Sequence, residues 1–156
     1  MHSHSSIQYD DFNIAEQYKN LKAVGNSLGS VVSFTGLVRD YQATMGLPSI
    51  DYMQLEHYPK MTEILVDNII NEAALRFNLV AVTVIHRIGK LLPGDQIVFV
   101  GVASQQREDG FLSVQFILDY LKTQVTLWKQ VSHKERLYWV EANKEDLLKA
   151  KNWQHN

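Results

Sequence analysis

Between Leu79 and Ser104 the chain carries two near-continuous apolar runs, LVAVTVIHRIG and QIVFVGVAS, with the turn sequence LLPGD between them. Apolar residues on both faces of a strand need cover on both sides, so these two runs are expected to be central strands of a sheet. The longest helical pattern follows, from Glu108 to Lys129. There Phe111, Val114, Leu118, Leu121, Val125 and Trp128 step by three and four along one stripe. Further helices are expected over Asn13–Ala23, with Asn13 as N-cap, over Lys60–Phe77, and over the closing KEDLLKAKNW. SIQYDDF, SVVSFTGLVR, IDYMQLEHY and RLYWVEA read as strands, and DYQATMGLPS as a loop. Helices and strands mix without a regular βαβ period, which makes the expected class α+β.

A length of 156 residues suits one domain with a real core. The opening MHSHSS lacks the apolar centre of a signal peptide. Residues 1–6 are therefore expected to be a disordered leader or tag remnant, and residues 7–156 a single domain. No apolar run approaches the roughly 18 residues of a membrane span, so no membrane association is expected and a cytoplasmic setting is the default. A formal net charge of −2 gives no electrostatic case for nucleic acid. The absence of cysteine excludes disulfides, thiolate metal sites and a cysteine nucleophile. Any sulfur chemistry needs sulfur brought by another molecule.

If the long pattern is one helix, Glu108, Gln115, Lys122 and Lys129 stand at successive heptad positions on the border of its apolar stripe. Two readings of the lysines stand at this point. They are border residues whose stems lie on the core while the ammonium stays wet, or they form a partly buried cationic rail able to bind phosphate or lose a proton. Arg39 ends FTGLVR before a loop, and Arg107 precedes the long helix, where free N–H groups favour an anion. Each arginine is equally well read as a surface charge paired with Asp40 or Glu108. His57 and His86 lack metal-ligand spacing and read as structural histidines, and His133 lies in a polar turn. Neither a metal site nor a bound cofactor is expected.

Five phrases in order, VVSFTGLVRD, LEHYPKMTE, VTVIHRIGKLLPGDQIVFVGVAS, FILDYLKT…WK and YWVEA, together resemble the large, catalytic subunit of molybdopterin synthase over roughly Gly29 to Ala142. The resemblance implies an α/β-hammerhead-type fold and a dimer of large subunits. It also implies one small ubiquitin-like subunit on each, a heterotetramer in all. The small subunit would end in a Gly-Gly thiocarboxylate whose sulfur passes to cyclic pyranopterin monophosphate, forming the molybdopterin dithiolene. By the same resemblance, Lys122 and Lys129 are the catalytic lysines, with Lys122 nearest the thiocarboxylate carbon. Lys129, Gln130 and Val131 would line the substrate pocket. Arg39, with Leu37 and Val38, would contact substrate from the neighbouring monomer, and Gln106 and Arg107 would bind its anionic part.

Two positions depart from that pattern. Gln106 stands where the family commonly has histidine, so it can donate a hydrogen bond but cannot shuttle a proton near neutral pH. Asn143 stands where many relatives carry arginine. These two departures sustain an alternative expectation, a non-catalytic scaffold that binds a ubiquitin-like partner or an anionic ligand.

Overall fold

The computed structural model describes residues 1–40, 46–141 and 144–154. The two apolar runs form β4 (Leu79–Arg87) and β6 (Gln96–Ser104), an antiparallel pair in which Val82 faces Val102 and Val84 faces Val100. They lie at the centre of a sheet ordered β1-β4-β6-β2, with β1 (His2–Gln8) and β2 (Ser30–Leu37) as its edges. Two helices cover one face, α2 (Met61–Arg76) and α3 (Arg107–Gln124). Their Val66, Ile70, Phe116, Ile117 and Leu121 pack with Val82, Val84, Val100 and Val102. On the other face, α1 (Ile14–Lys22) packs Leu21, together with Phe12, against Ala81, Ile85, Phe99 and Ala103. Apolar surface on both sides of β4 and β6 is thus fully covered, as the residue pattern requires.

α1 begins as expected, with the Asn13 side chain accepting a hydrogen bond from the Glu16 N–H at 3.1 Å. α3 approaches the sheet closely at Gly110, where an added Cβ would stand 2.8 Å from the Val32 side chain and 3.1 Å from Ser104 Oγ. That contact accounts for a residue that is otherwise unfavourable inside a helix.

A second sheet, all antiparallel, runs β5-β3-β7-β8. Its strands are β3 (Tyr52–His57), β5 (Gly89–Leu91), β7 (Leu127–His133) and β8 (Arg136–Trp139). Met53, Leu55, Leu91 and Val131 point inward and form its core with Val38, Ile50 and Ile88. A terminal helix, α4 (Lys144–Asn152), packs on α3. Among the described residues the fold is therefore α+β, with four helices and two four-stranded sheets.

Three expectations need correction. Residues 1–6 do not lie outside the fold as a disordered leader. His2–Gln8 pairs parallel with β4 from Ala81 to Arg87, and Ser5 Oγ donates to Asp67 Oδ1 on α2 at 2.6 Å. Backbone ladder bonds hold this strand, and they leave no apolar signature in the residues that make them. The long helix does not reach Lys129. α3 stops at Gln124, Val125 turns extended at φ −82° and ψ 120°, and β7 begins at Leu127. Val125 and Thr126 are β-branched and suit a strand better than a helix. The helical stripe is also displaced: Phe111 and Trp128, expected inside, are 64% and 46% exposed, whereas Phe116, Ile117 and Tyr120 are buried. The expected loop over residues 40–49 falls partly outside the described residues.

Candidate active site

The break between α3 and β7 decides where the two lysines go. Lys122 stays in the last turn of α3, largely exposed, with its Nζ 3.5 Å from Asp146 Oδ1 on α4. Lys129 rises from the middle of β7, paired across the ladder with the buried Leu55. Side chains alternate along a strand, so Lys129 shares the inward face of β7 with Leu127 and Val131. Helix end and strand middle therefore bring the two lysines together from different elements.

The ionisation of Lys129 records its neighbours. Burial holds its ammonium below the ordinary lysine value of 10.5, and the positive charges of Lys122 and Arg39 depress it further. Asp146 acts the other way, favouring the protonated form. Among the described residues no hydrogen bond or ion pair holds the side-chain ammonium of Lys129. Three cations and one carboxylate thus meet where the second sheet joins the ends of α3 and α4, an arrangement suited to a multiply charged anion.

Arg39 belongs to this cluster within one chain. Its positive charge acts on Lys129 of its own chain. Val38 anchors it: the Val38 N–H donates to Asp95 O at 2.9 Å, Val38 O accepts from the Gly94 N–H at 2.8 Å, and its side chain is buried. Leu37 is exposed at the end of β2. Val131 is fully buried, so like Val38 it supports its neighbours through the core. Gln130 points to the face of the sheet opposite Lys129, opposite Gln54 and Trp139 in the ladder. Gln106 and Arg107 lie at the other end of α3, where Gln106 is the N-cap. Arg107 is 15 residues before Lys122, ~22 Å along the helix at 1.5 Å per residue. One chain does not bring these two residues to the lysines. Asn143 lies outside the described residues.

Two residues near the cluster were not singled out for it from the sequence, Asp146 and His86. Asp146 sits in a charged C-terminal helix with no motif of its own. His86 is the penultimate residue of β4, and its Nδ1–H donates to the Arg87 carbonyl at 2.8 Å. Burial, reinforced by the Lys129 charge, lowers its pKa from 6.5 to about 4, against the opposing effect of that hydrogen bond. His86 is therefore neutral in the folded protein at neutral pH. The unfolded chain binds a proton there between pH 6.5 and about 4 while the folded chain does not, so stability falls as pH drops through that window. We expect a loss of about 3 kcal/mol there. His86→Gln should flatten that part of a stability-versus-pH curve from urea unfolding.

Among the described residues there is no group of three His, Cys, Asp or Glu able to hold a metal ion. No helix among them is long and apolar enough to cross a membrane.

Residues 7–124 match the model of the MoaE protein family. The chain is 48% identical to the molybdopterin synthase catalytic subunit of Escherichia coli (strain K12) over 142 residues, 91% of this chain and 92% of that one. It is 42% identical to the molybdopterin synthase catalytic subunit of Vibrio cholerae over 149 residues, 96% and 97% of the two chains. Among solved structures, the MoaE protein of Burkholderia ambifaria superposes with a TM-score of 0.82 at 36% identity, covering 97% of this chain and 98% of that one. Molybdopterin synthase from Staphylococcus aureus superposes with a TM-score of 0.77 at 27% identity, over 86% and 95% of the respective chains. With sequence, fold and the converging lysines in agreement, the chain belongs to the MoaE family of molybdopterin synthase catalytic subunits.

Proposed function

We propose that this chain passes sulfur from the C-terminal Gly-Gly thiocarboxylate of a small ubiquitin-like subunit to cyclic pyranopterin monophosphate, in the cytoplasm. The observation that carries the reading is the convergence of Lys122, Lys129 and Arg39 from three separate elements. The thiocarboxylate sulfur would attack an oxygen-bearing carbon of the pterin side chain, forming a C–S bond as the C–O bond at that carbon breaks and its oxygen leaves with a proton. Water would then attack the acyl carbon, releasing the sulfur on the pterin and restoring a carboxylate on the small subunit. Lys122, the more exposed lysine, would face the acyl carbon and stabilise the oxyanion that forms there or transfer the proton as sulfur leaves. Lys129, desolvated and without an ion pair, would hold the substrate phosphate with Arg39.

Arg107 and Gln106 enter this scheme only through a second copy. Their distance from Lys122 along α3 is the support for a dimer of large subunits in which each copy completes the other's site, giving a heterotetramer with two small subunits. Gln106 would then contribute hydrogen bonds and no proton transfer.

The test mixes the protein with a thiocarboxylated small subunit and cyclic pyranopterin monophosphate and measures dithiolene product. Product formation is the expected result. Tight partner binding with no product would instead favour a non-catalytic scaffold.

A further inference from the structure

Asp146 is the carboxylate that acts on the cation cluster from its own helix, and the fold places it there with some care. Its side chain is 21% exposed against 60% for Lys122, so the ion pair is sheltered on the acidic side. The far end of α4 is pinned to α3. Trp153, just past the helix, donates its indole N–H to Asp119 Oδ2 at 2.9 Å, and its ring lies 5.4 Å from that of Phe116. Arg76 Nη1 donates to the Trp153 carbonyl at 2.7 Å. Asp119 is thereby engaged by Trp153, which leaves Asp146 facing Lys122. Asp146 also stands in the first turn of α4, where a negative charge meets the positive end of the helix dipole.

The groups acting on the cluster come from every element around it: Lys122 from α3, Lys129 from β7, Arg39 after β2, His86 from β4 and Asp146 from α4. Four of these are basic. With His86 neutral, three positive charges remain, and burial together with the charges of Lys122 and Arg39 weakens the hold of Lys129 on its proton. We infer that Asp146 is a positioning residue of this site, holding the Lys122 ammonium at 3.5 Å and offsetting the positive charge gathered around Lys129, so that both lysines meet the anionic substrate as cations. The catalytic part of this inference rests on the sulfur-transfer reading, whereas its electrostatic part concerns the protein alone.

That separation sets the experiment. The side-chain ammonium groups of Lys122 and Lys129 are titrated by NMR in the full-length protein without partner or substrate. Asp146→Asn should move the Lys129 titration to lower pH, Asp146→Glu should restore it in part, and Glu16→Gln, on α1 across the first sheet, should leave it in place. A folded Asp146→Asn protein whose Lys129 titrates as in the wild type overturns the inference. Should Asp146→Asn not fold, Asp146→Ser decides in its place: a folded Asp146→Ser protein whose Lys129 titrates as in the wild type overturns the inference. In the reconstituted reaction, the ratio of product formed at pH 9 to that at pH 7 should fall about threefold in Asp146→Asn, the size of effect an exposed ion pair supports. A structural role alone would lower both rates together. If the wild type forms no dithiolene, the sulfur-transfer reading fails while the NMR titration still decides the role of Asp146.

Discussion

Lys129→Met is expected to cut dithiolene formation by about 10²–10³-fold, the cost of losing one preorganised charge contact, while making the folded chain more stable. The two effects share one cause. Lys129 rises from the inward face of β7, opposite the buried Leu55 in the ladder, and its charge is disfavoured by burial and by Lys122 and Arg39. A methionine of similar length removes the desolvated charge and keeps the packing of the stem, so stability at neutral pH should rise by on the order of 1 kcal/mol. The pH dependence gives the sign. Wild-type Lys129 binds its proton more weakly when folded than when unfolded. Between its depressed folded value and the ordinary 10.5, the unfolded chain therefore holds more protons and wild-type stability rises with pH. Lys129→Met should lack that rise in urea unfolding followed across alkaline pH. Lys122→Ala should lose product formation to a similar degree without the gain in stability, because Lys122 is exposed and paired with Asp146. Undiminished product in either variant would overturn the assigned roles.

Phe116→Ala should cost about 3–5 kcal/mol, the largest stability loss expected from one side chain here. Phe116 is fully buried. Its ring lies 4.5 Å from Tyr120, 5.8 Å from Phe77 and 5.4 Å from Trp153, with the Arg76 guanidinium 5.2 Å from its centre. Removing it opens a cavity between α2, α3 and the end of α4. The urea midpoint reads the loss. Because Trp153 pins α4 and α4 carries Asp146, the variant should also weaken the hold on Lys122 at temperatures where it remains folded. A loss under 1 kcal/mol would mean that the aromatic cluster does not hold α4 in place.

The residues themselves announce much of this protein. Two strands apolar on both faces, parted by a proline–glycine turn, had to lie at the centre of a sheet, and β4 and β6 do. Asn13 caps a helix because a short side-chain oxygen can reach the N–H three residues on, a contact made within one turn. Lys122 and Lys129 drew notice as basic residues in a largely apolar stretch, and the order of motifs around them identified the family. These features share a property: each depends on residues close together in the chain.

Tertiary structure decided the rest. A three-and-four spacing that continues past Gln124 cannot show that the backbone turns extended at Val125, since Val125 is buried in either conformation. That turn makes Lys129 a strand residue aimed into the domain and sets it beside Lys122 from another direction. The polar MHSHSS becomes a strand because the edge of β4 offers backbone partners, and backbone hydrogen bonding does not depend on side-chain polarity. Asp146 and His86 join the site from α4 and β4, and Arg39 joins it within its own chain. Charges distant in sequence influence one another only when the fold brings them within electrostatic reach. Which basic residues this protein carries, and which family they mark, was written in the chain. Which of them face one another, and with which counter-charge, followed only from packing two sheets and the ends of two helices together.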